Sequence, residues 1–249
     1  MIESSQPLAG KVFVVTRPSH QAHQLAELIQ NYGGKILFLP LLKIVPLYPP
    51  PLLNSIPIAI FTSANSVFYL DDSWIENLAK SIIIAVGEGT KKALLNWGIK
   101  VDECPSSANS EGLLQLGVLR MIKNKNIHIF CGENPRALLK EGLIARGAHV
   151  TEIFCYRREK IDYSHNSLLK ILKVSDVVIC TSMEGLENLI SQLTTNLFNL
   201  LKKQKLIVIN SKMYSLAKQL ALKPLLAKSP TEKDLLTTIL QLDQFPLDH

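Results

Sequence analysis

Apolar runs that end in hydroxyl residues recur along this chain, and they offer the first chemistry it can do. Residues 58–61 (IAIF) run into Thr62-Ser63, and residues 177–180 (VVIC) run into Thr181-Ser182. Further on, a second apolar run ends in Gly87-Glu88-Gly89-Thr90 in the first case and in Asn210-Ser211 in the second. At the carboxyl ends of parallel strands such side chains point into a crevice. The helix that follows adds free backbone N–H groups and the positive end of its dipole. The natural guest is a carboxylate or a phosphate. Any single Ser or Thr there is explained as simply by helix capping, but these ends come in two equivalent pairs, which favours a binding cleft. Arg17 and Arg136 follow strands near helix starts, and Arg157-Arg158 and Lys160 follow Phe154-Cys155-Tyr156. Guanidinium groups pair bidentately with carboxylates and suit a polyanion, although solvated surface charge is the plainer role for each.

Other chemistries fit less well. Gly87-x-Gly89 after a strand invites a dinucleotide reading, but the third glycine position is Lys92 and no acidic residue is clearly placed for a ribose. GEGTKK has the wrong glycine spacing for a P-loop. His20 and His23 lie three apart without a carboxylate or thiolate at ligand spacing, so an exposed helix face explains them better than a metal. No Ser-His-Asp set, Cys-His set or carboxylate pair stands out.

The elements that must position these residues alternate. VFVVT (12–16) is an apolar run ended by Arg17-Pro18, as in strands buried on both faces of a parallel sheet. Pro18-Ser19 opens a helix with Ser19 as its expected N-cap, and Gly33-Gly34 stops it. Residues 35–44 read as extended and broken by Pro40; Pro46 to Pro57 reads as a stiff proline-rich connection. Strands are expected at 58–62, 82–86, 127–131, 149–157, 176–180 and 205–209, with a short one near Val101. Helices are expected at 64–70, 88–97, 135–146, 165–173, 184–193 and 212–221. Another starts at Ser110-Glu111, and a last one runs from Ser229-Pro230-Thr231 to Leu242. The order contains a repeat. VFVVT…GGKILFLP resembles IHIFCG…GAHVTEIFCY, and the Thr-Ser unit occurs twice, so the chain reads as a duplicated lobe. Strands alternating with helices imply parallel sheets covered on both faces. The bends at Pro40 and Cys155-Tyr156 are equivalent and suit the interlobe connections. Periodicity alone leaves a tandem of residues 1–115 and 116–249 equally open.

With 249 residues, 47% of them hydrophobic, the chain can bury a large core. No apolar run reaches the roughly 20 residues that span a bilayer, and MIESSQPLAGK lacks the pattern of a secretory signal. Cys104, Cys131, Cys155 and Cys180 are scattered without a Cys-x-x-Cys pair, as expected of reduced thiols in a cytoplasmic protein. The formal net charge of +6 (27 Lys+Arg against 21 Asp+Glu) fits an anionic small ligand as well as nucleic acid and decides nothing alone.

Along nearly its whole length the chain resembles the uroporphyrinogen-III synthase family. The matching pieces are VVTRP (14–18), FTSANSV (61–67), AVGEGTKKAL (85–94), SEGLL (110–114), CGENPRALL (131–139), Tyr156, TSMEGL (181–186) and SPTEKDLL (229–236). Each is short; their order and spacing make the match. The resemblance implies an α/β fold of two similar parallel-sheet lobes, Rossmann- or flavodoxin-like, intertwined and joined by a two-stranded β-ladder. Lobe one would be residues 1–37 plus 158–249, lobe two 44–150, with 38–43 and 151–157 as linker strands. The implied substrate is hydroxymethylbilane, a linear tetrapyrrole octacarboxylate. It loses its terminal hydroxyl as water and closes with the last ring inverted; unassisted closure gives the type I isomer. That task is mainly orientation, in keeping with the missing nucleophile.

By the same resemblance Tyr156 is the expected proton donor for the departing hydroxyl. Thr16, Arg17, Thr62, Ser63, Gly87, Thr90, Arg136, Thr181, Ser182 and Ser211 are the expected substrate contacts. No cofactor and no metal are implied. The enzyme would be a cytoplasmic monomer, engaging neither nucleic acid nor membrane, with a possible transient contact with hydroxymethylbilane synthase. The second-lobe turn departs from the family: Ile209, Asn210, Ser211, Lys212, Met213 stand where Ile-Gly-Pro and a hydroxyl are usual. That turn is the feature favouring a competing reading, a non-catalytic bilobal binding module for an anionic small molecule. A nucleotide-dependent enzyme is the third reading.

Overall fold

The computed structural model describes residues 6–47, 55–70 and 72–242, with backbone only for Ser19 and His20. Pro49-Pro50-Pro51, the centre of the proline-rich connection, lies outside the described residues. The chain divides into two compact units. Unit 1 comprises Met1–Lys43 and Glu159–His249, and unit 2 comprises Ile44–Arg158. The chain thus passes between them twice, within the strands β3 (Leu42–Pro46) and β7 (His149–Lys160), which are neighbours in one sheet.

Unit 1 is built on five strands in the order β10-β9-β8-β1-β2. These are β1 (Val12–Val15), β2 (Lys35–Phe38), β8 (Val177–Ile179), β9 (Lys205–Val208) and β10 (Lys223–Leu226). Every pairing in it is parallel. The other sheet runs β3-β7-β6-β4-β5, with β4 (Ile58–Phe61), β5 (Ile82–Ala85) and β6 (Asn126–Gly132). Here β4 pairs in parallel with β5 and β6, and β6 with β7.

The repeat in the sequence maps onto these orders. β1, the helix α1 (Ser19–Asn31) and β2 correspond to β6, the helix α6 (Ala137–Ala145) and β7. The two Thr-Ser units correspond to β8 with β9 and β4 with β5. Each sheet therefore contains the same run of four strands, β9-β8-β1-β2 and β5-β4-β6-β7. In each, the chain leaves one way from the Thr-Ser strand and the other way from its neighbour. That reversal is a topological switch point, where open α/β sheets place their ligands.

Strand residues alternate between two faces, and helices cover both. In unit 1, Val14, Val178, Leu206 and Val208 face a cluster containing Leu168, Leu186, Leu197, Leu201 and Met213, whereas Phe13, Val15, Ile179 and Ile207 face Leu25, Ile29, Leu235 and Ile239. In unit 2, Ala59, Phe61, Ala85 and Phe130 pack with Val67, Trp74, Leu78 and Leu94, and Ile58, Ile60, Ile84 and Ile129 pack with Leu113, Leu139 and Leu143. These strands are buried on both faces, which is why they read as unbroken apolar runs.

Several local expectations change. Pro18, not Ser19, occupies the N-cap of α1, without a side-chain cap. The helix α5 (Ser110–Gln115) is capped by Asn109, whose Oδ1 accepts from Gly112 N at 2.7 Å, so Ser110 is its first turn. Near Val101 there is no strand but a single bridge between Ile84 and Glu103. Helices α3 (Ser73–Leu78) and α9 (Thr195–Lys203) and strand β10 were not expected. Pro224 inside β10 disguises it, and β10 tolerates the proline because it is an edge strand.

The departure at Asn210 has a local explanation. Asn210 Oδ1 accepts from Met213 N at 2.9 Å and caps α10 (Ser211–Gln219). Replacing Asn210 by Ala should lower stability by about 1 kcal/mol, and by Gly only a few tenths. Urea titration followed by circular dichroism checks both.

Candidate functional site

In unit 2 the switch point lies between β4 and β6. Thr62-Ser63 follow β4, and Gly132 to Arg136 run from the end of β6 to the N-cap position of α6. A cavity of roughly 290 Å³ opens there, and Thr62, Ser63, Asn109, Gly132, Arg136, Lys140, Glu152, Tyr156 and Arg158 are among its lining residues. Tyr156 stands at the end of the β6–β7 ladder, opposite Gly132, just past a register shift. Its residue is 2% exposed, and its hydroxyl lies 3.0 Å from Ser63 Oγ. Ser63 Oγ also accepts from Ser66 N at 3.3 Å, and Ser66 Oγ donates to Ser63 O at 2.6 Å, which fixes the turn. A Cβ on Gly132 would stand 2.7 Å from the Tyr156 ring, so only glycine lets the phenol lie there.

The charges favour an anion. Arg136, Lys140 and Arg158 line the cavity against one carboxylate, Glu152, which pairs with Lys140 at 2.6 Å. The Arg158 guanidinium lies 5.9 Å from the Tyr156 ring centroid. The first turn of α6 carries no acidic residue, so its N–H groups and dipole add to the positive field. Arg136 and Lys140 are one helical turn apart and share a face. At the low end of ligand-sized cavities, this one suits part of a large guest.

The corresponding place in unit 1 lies between β8 and β1. A cavity of roughly 420 Å³ is lined by Arg17, Gln21, Gln24, Thr181, Pro230 and Glu232. Each guanidinium nitrogen of Arg17 makes one bond: Nε donates to Thr181 Oγ1 at 3.2 Å, Nη1 pairs with Glu232 Oε1 at 2.9 Å, and Nη2 donates to Pro230 O. Thr16 donates its hydroxyl to Ile179 O at 2.9 Å, within the sheet. Ser182 caps α8 (Met183–Ser191), accepting from Gly185 N at 3.0 Å.

The structure therefore brings Tyr156, Thr62, Ser63 and Arg136 together in one cavity and Arg17 with Thr181 in another. Thr16, Gly87, Thr90, Ser182 and Ser211 line neither. Thr90 is buried, Ser211 is exposed, and Gly87 has extended backbone whose missing Cβ makes room for Ala108. Asn109, Lys140 and Glu152 were missed as site residues. Lys140 alone had a signal, its helical spacing from Arg136.

Burial sets the titration of the groups beneath these sites. It pushes the Cys131 and Cys155 thiols up to about 12 and Cys180 to about 11, and holds His128 below its ordinary value. Thiols raised in the fold contribute stability that is fully present below their unfolded value of 9.0 and is lost as pH rises through 11 to 12. A depressed histidine contributes stability present above 6.5 and lost as pH falls. Stability should therefore be highest between these limits and fall on both sides. Urea midpoints from pH 5 to 10.5 check it, and Cys180→Ala should flatten the alkaline limb.

Two α/β units, each with a polar pocket at the switch point of its sheet, define a bilobal α/β protein with candidate ligand pockets at its strand ends. This chain belongs to the family described as uroporphyrinogen-III synthase HemD, which matches residues 23–237. The chain is 26% identical over 244 residues to uroporphyrinogen-III synthase of Escherichia coli K12, a match covering 92% of this chain and 99% of the relative. It is 29% identical over 165 residues to the Proteus mirabilis enzyme of that name, covering 60% and 81%. In fold it is similar to a mutant uroporphyrinogen III synthase from Thermus thermophilus, with a TM-score of 0.63 at 16% identity over 94% of this chain and 99% of that one. The Helicobacter pylori 26695 protein gives 0.63 at 17% identity, over 93% and 99%.

Proposed function

We propose that this protein converts hydroxymethylbilane into uroporphyrinogen III, a cyclising lyase reaction that releases water. The carrying observation is the hydroxyl pair of buried Tyr156 and half-buried Ser63 in a pocket with excess positive charge, in a chain of this family. The pocket cations and the α6 N-terminus hold carboxylates of one end of the substrate. Thr62, Ser63 and Arg136 contact it there, and Thr181 contacts it in unit 1.

Tyr156 is the acid. Ser63 Oγ accepts from Ser66 N–H and lies 3.0 Å from the phenol oxygen, where either hydroxyl can donate; with Ser63 as the donor, the phenol hydrogen is left for the guest. Its transfer to the terminal hydroxyl lets the C–O bond break, with its electron pair leaving on water. The cation that remains is stabilised by its pyrrole nitrogen. The carbon of the last ring that already carries its bridge supplies the electrons of a first C–C bond to that cation, forming a spiro intermediate. The old bond to the bridge then breaks with its electron pair returning to the last ring, which leaves the cation on the bridging carbon, stabilised by the neighbouring pyrrole nitrogen. The other α-carbon of the last ring, now turned around, closes onto that cation, and the proton this carbon releases restores the phenol. Between these steps the phenolate keeps the Ser63 hydroxyl as its partner, with the Arg158 charge 5.9 Å from its ring centroid. A hundredfold preference for the inverted closure needs about 2.7 kcal/mol between two barriers. One or two charge-assisted hydrogen bonds that hold the last ring supply that much.

The enzyme works as a monomer in the cytoplasm and takes its bilane from hydroxymethylbilane synthase; three buried thiols suit a reducing compartment. Among the described residues no helix is long and apolar enough to cross a membrane. Initial rates of macrocycle formation with and without protein test the proposal. Rates above the spontaneous closure that fall with added salt are expected. A rate equal to that of buffer contradicts it.

A further inference from the structure

Arg17 lines the unit 1 cavity, but three of its five N–H groups are already given to protein acceptors and tie it to neighbouring segments. Its side chain is 8% exposed, and all three guanidinium nitrogens have acceptors: Thr181 Oγ1, Glu232 Oε1 and the carbonyl of Pro230. The pairing with Glu232 neutralises the one carboxylate among the described residues that line this cavity. The bond to Thr181 does something different. A threonine hydroxyl has one hydrogen to give and two lone pairs to receive. Arg17 Nε–H takes up a lone pair of Thr181 Oγ1, and no acceptor for the Thr181 hydrogen is found among the described residues. Thr181 is only half-buried, on the cavity wall. Its hydrogen is therefore available to a guest in the cavity.

We infer that Arg17 is a positioning residue: it presents the Thr181 hydroxyl as a hydrogen-bond donor to one carboxylate of the substrate, and does not itself touch that carboxylate. The inference rests on the function proposed above and adds the division of labour within unit 1. The hydroxyl becomes a better donor because the guanidinium polarises it, so the pair acts cooperatively. A neutral donor backed by a compensated charge also explains how a cavity containing Glu232 accepts an anion. Arg17 holds three chain segments at once, the ends of β1 and β8 and the start of α11 (Glu232–Leu240), so the geometry is preorganised.

Steady-state kinetics with hydroxymethylbilane, read as type III product, separate the roles. Thr181→Val should raise KM about tenfold, the loss of one hydrogen bond to a charged group, with kcat within about twofold. Arg17→Met should do the same, and the double variant should be no worse than either single one. Thr231→Ala loosens the same helix start by removing its cap, a bond of 3.3 Å to Asp234 N, and should lower the melting temperature while leaving KM unchanged. That control separates positioning from general destabilisation. Should Arg17→Met fail to fold, Arg17→Lys keeps the charge beside Glu232 and loses the Nε bond, and its KM should still rise. Equal multiplicative losses from Arg17 and Thr181 would show that each meets the substrate separately, and would overturn the inference. So would an unchanged KM in Thr181→Val or Arg17→Lys. Wild-type protein that makes no type III product would instead overturn the function itself, and this inference with it.

Discussion

Tyr156→Phe should cost about a hundredfold in kcat, with KM within about threefold of wild type. General acid catalysis by a positioned side chain contributes 10²–10⁴, and the lower figure suits a leaving group whose departure the pyrrole already assists. The substitution removes one oxygen and keeps the ring. The ring packs on Gly132, lies 6.4 Å from the Tyr69 ring and is 2% exposed, so the fold should survive and the melting temperature should change little. What is lost is the proton and the 3.0 Å partner of Ser63. Ser63→Ala should give a smaller loss in the same direction, because it removes the support and leaves the acid. The product that Tyr156→Phe still makes should be mainly type III, since the ring is oriented by carboxylate contacts and not by the phenol. Unchanged turnover would remove Tyr156 from the chemistry.

The second large effect is on stability. Phe130 lies under the site with no exposure, its ring stacked on Phe61 at 4.5 Å and met edge-on by Trp74 at 5.3 Å. Its carbonyl accepts from Thr62 N at 3.1 Å and from Thr62 Oγ1 at 3.3 Å. Phe130→Ala opens a cavity between the central strands β4 and β6 and the helices α2 (Asn65–Phe68) and α3, at a cost of about 3–5 kcal/mol. That is a large part of what an ordinary domain has. Phe130→Leu should cost much less, because most of the volume stays. Urea titrations of both variants give the comparison. Less than about 1 kcal/mol for the alanine would mean that the ring does not organise this core.

The fold was legible where the chemistry is repetitive. IAIF and VVIC are apolar throughout because their strands are covered on both faces, and the residues that stop them, Thr62-Ser63 and Thr181-Ser182, mark the carboxyl ends of the strands. What was not legible is which ends meet. Ser63 and Tyr156 are 93 positions apart and adjoin only because β6 lies between β4 and β7. Arg17 and Thr181 are 164 apart, brought together by the neighbouring strands β1 and β8. A sequence shows that each can bind an anion; it does not show that one spends its donors on the other. Tyr156 was reached through resemblance, since nothing in FCYRR distinguishes a catalytic phenol from a buried strand residue. Asn109 and Asn210 were hidden for a related reason. Asn109 sat in what read as a loop and Asn210 in a strand-end turn, yet each accepts the N–H three residues on and starts a helix.

The isomer distribution of the product decides the whole account. Purified protein would be incubated with freshly prepared hydroxymethylbilane, the products oxidised, and the uroporphyrin isomers separated by chromatography. Predominantly type III product, absent from a protein-free control, is the expected result. Type I product alone, at a protein concentration where binding of the bilane is demonstrable, would contradict it and leave a protein that holds the bilane without directing its closure.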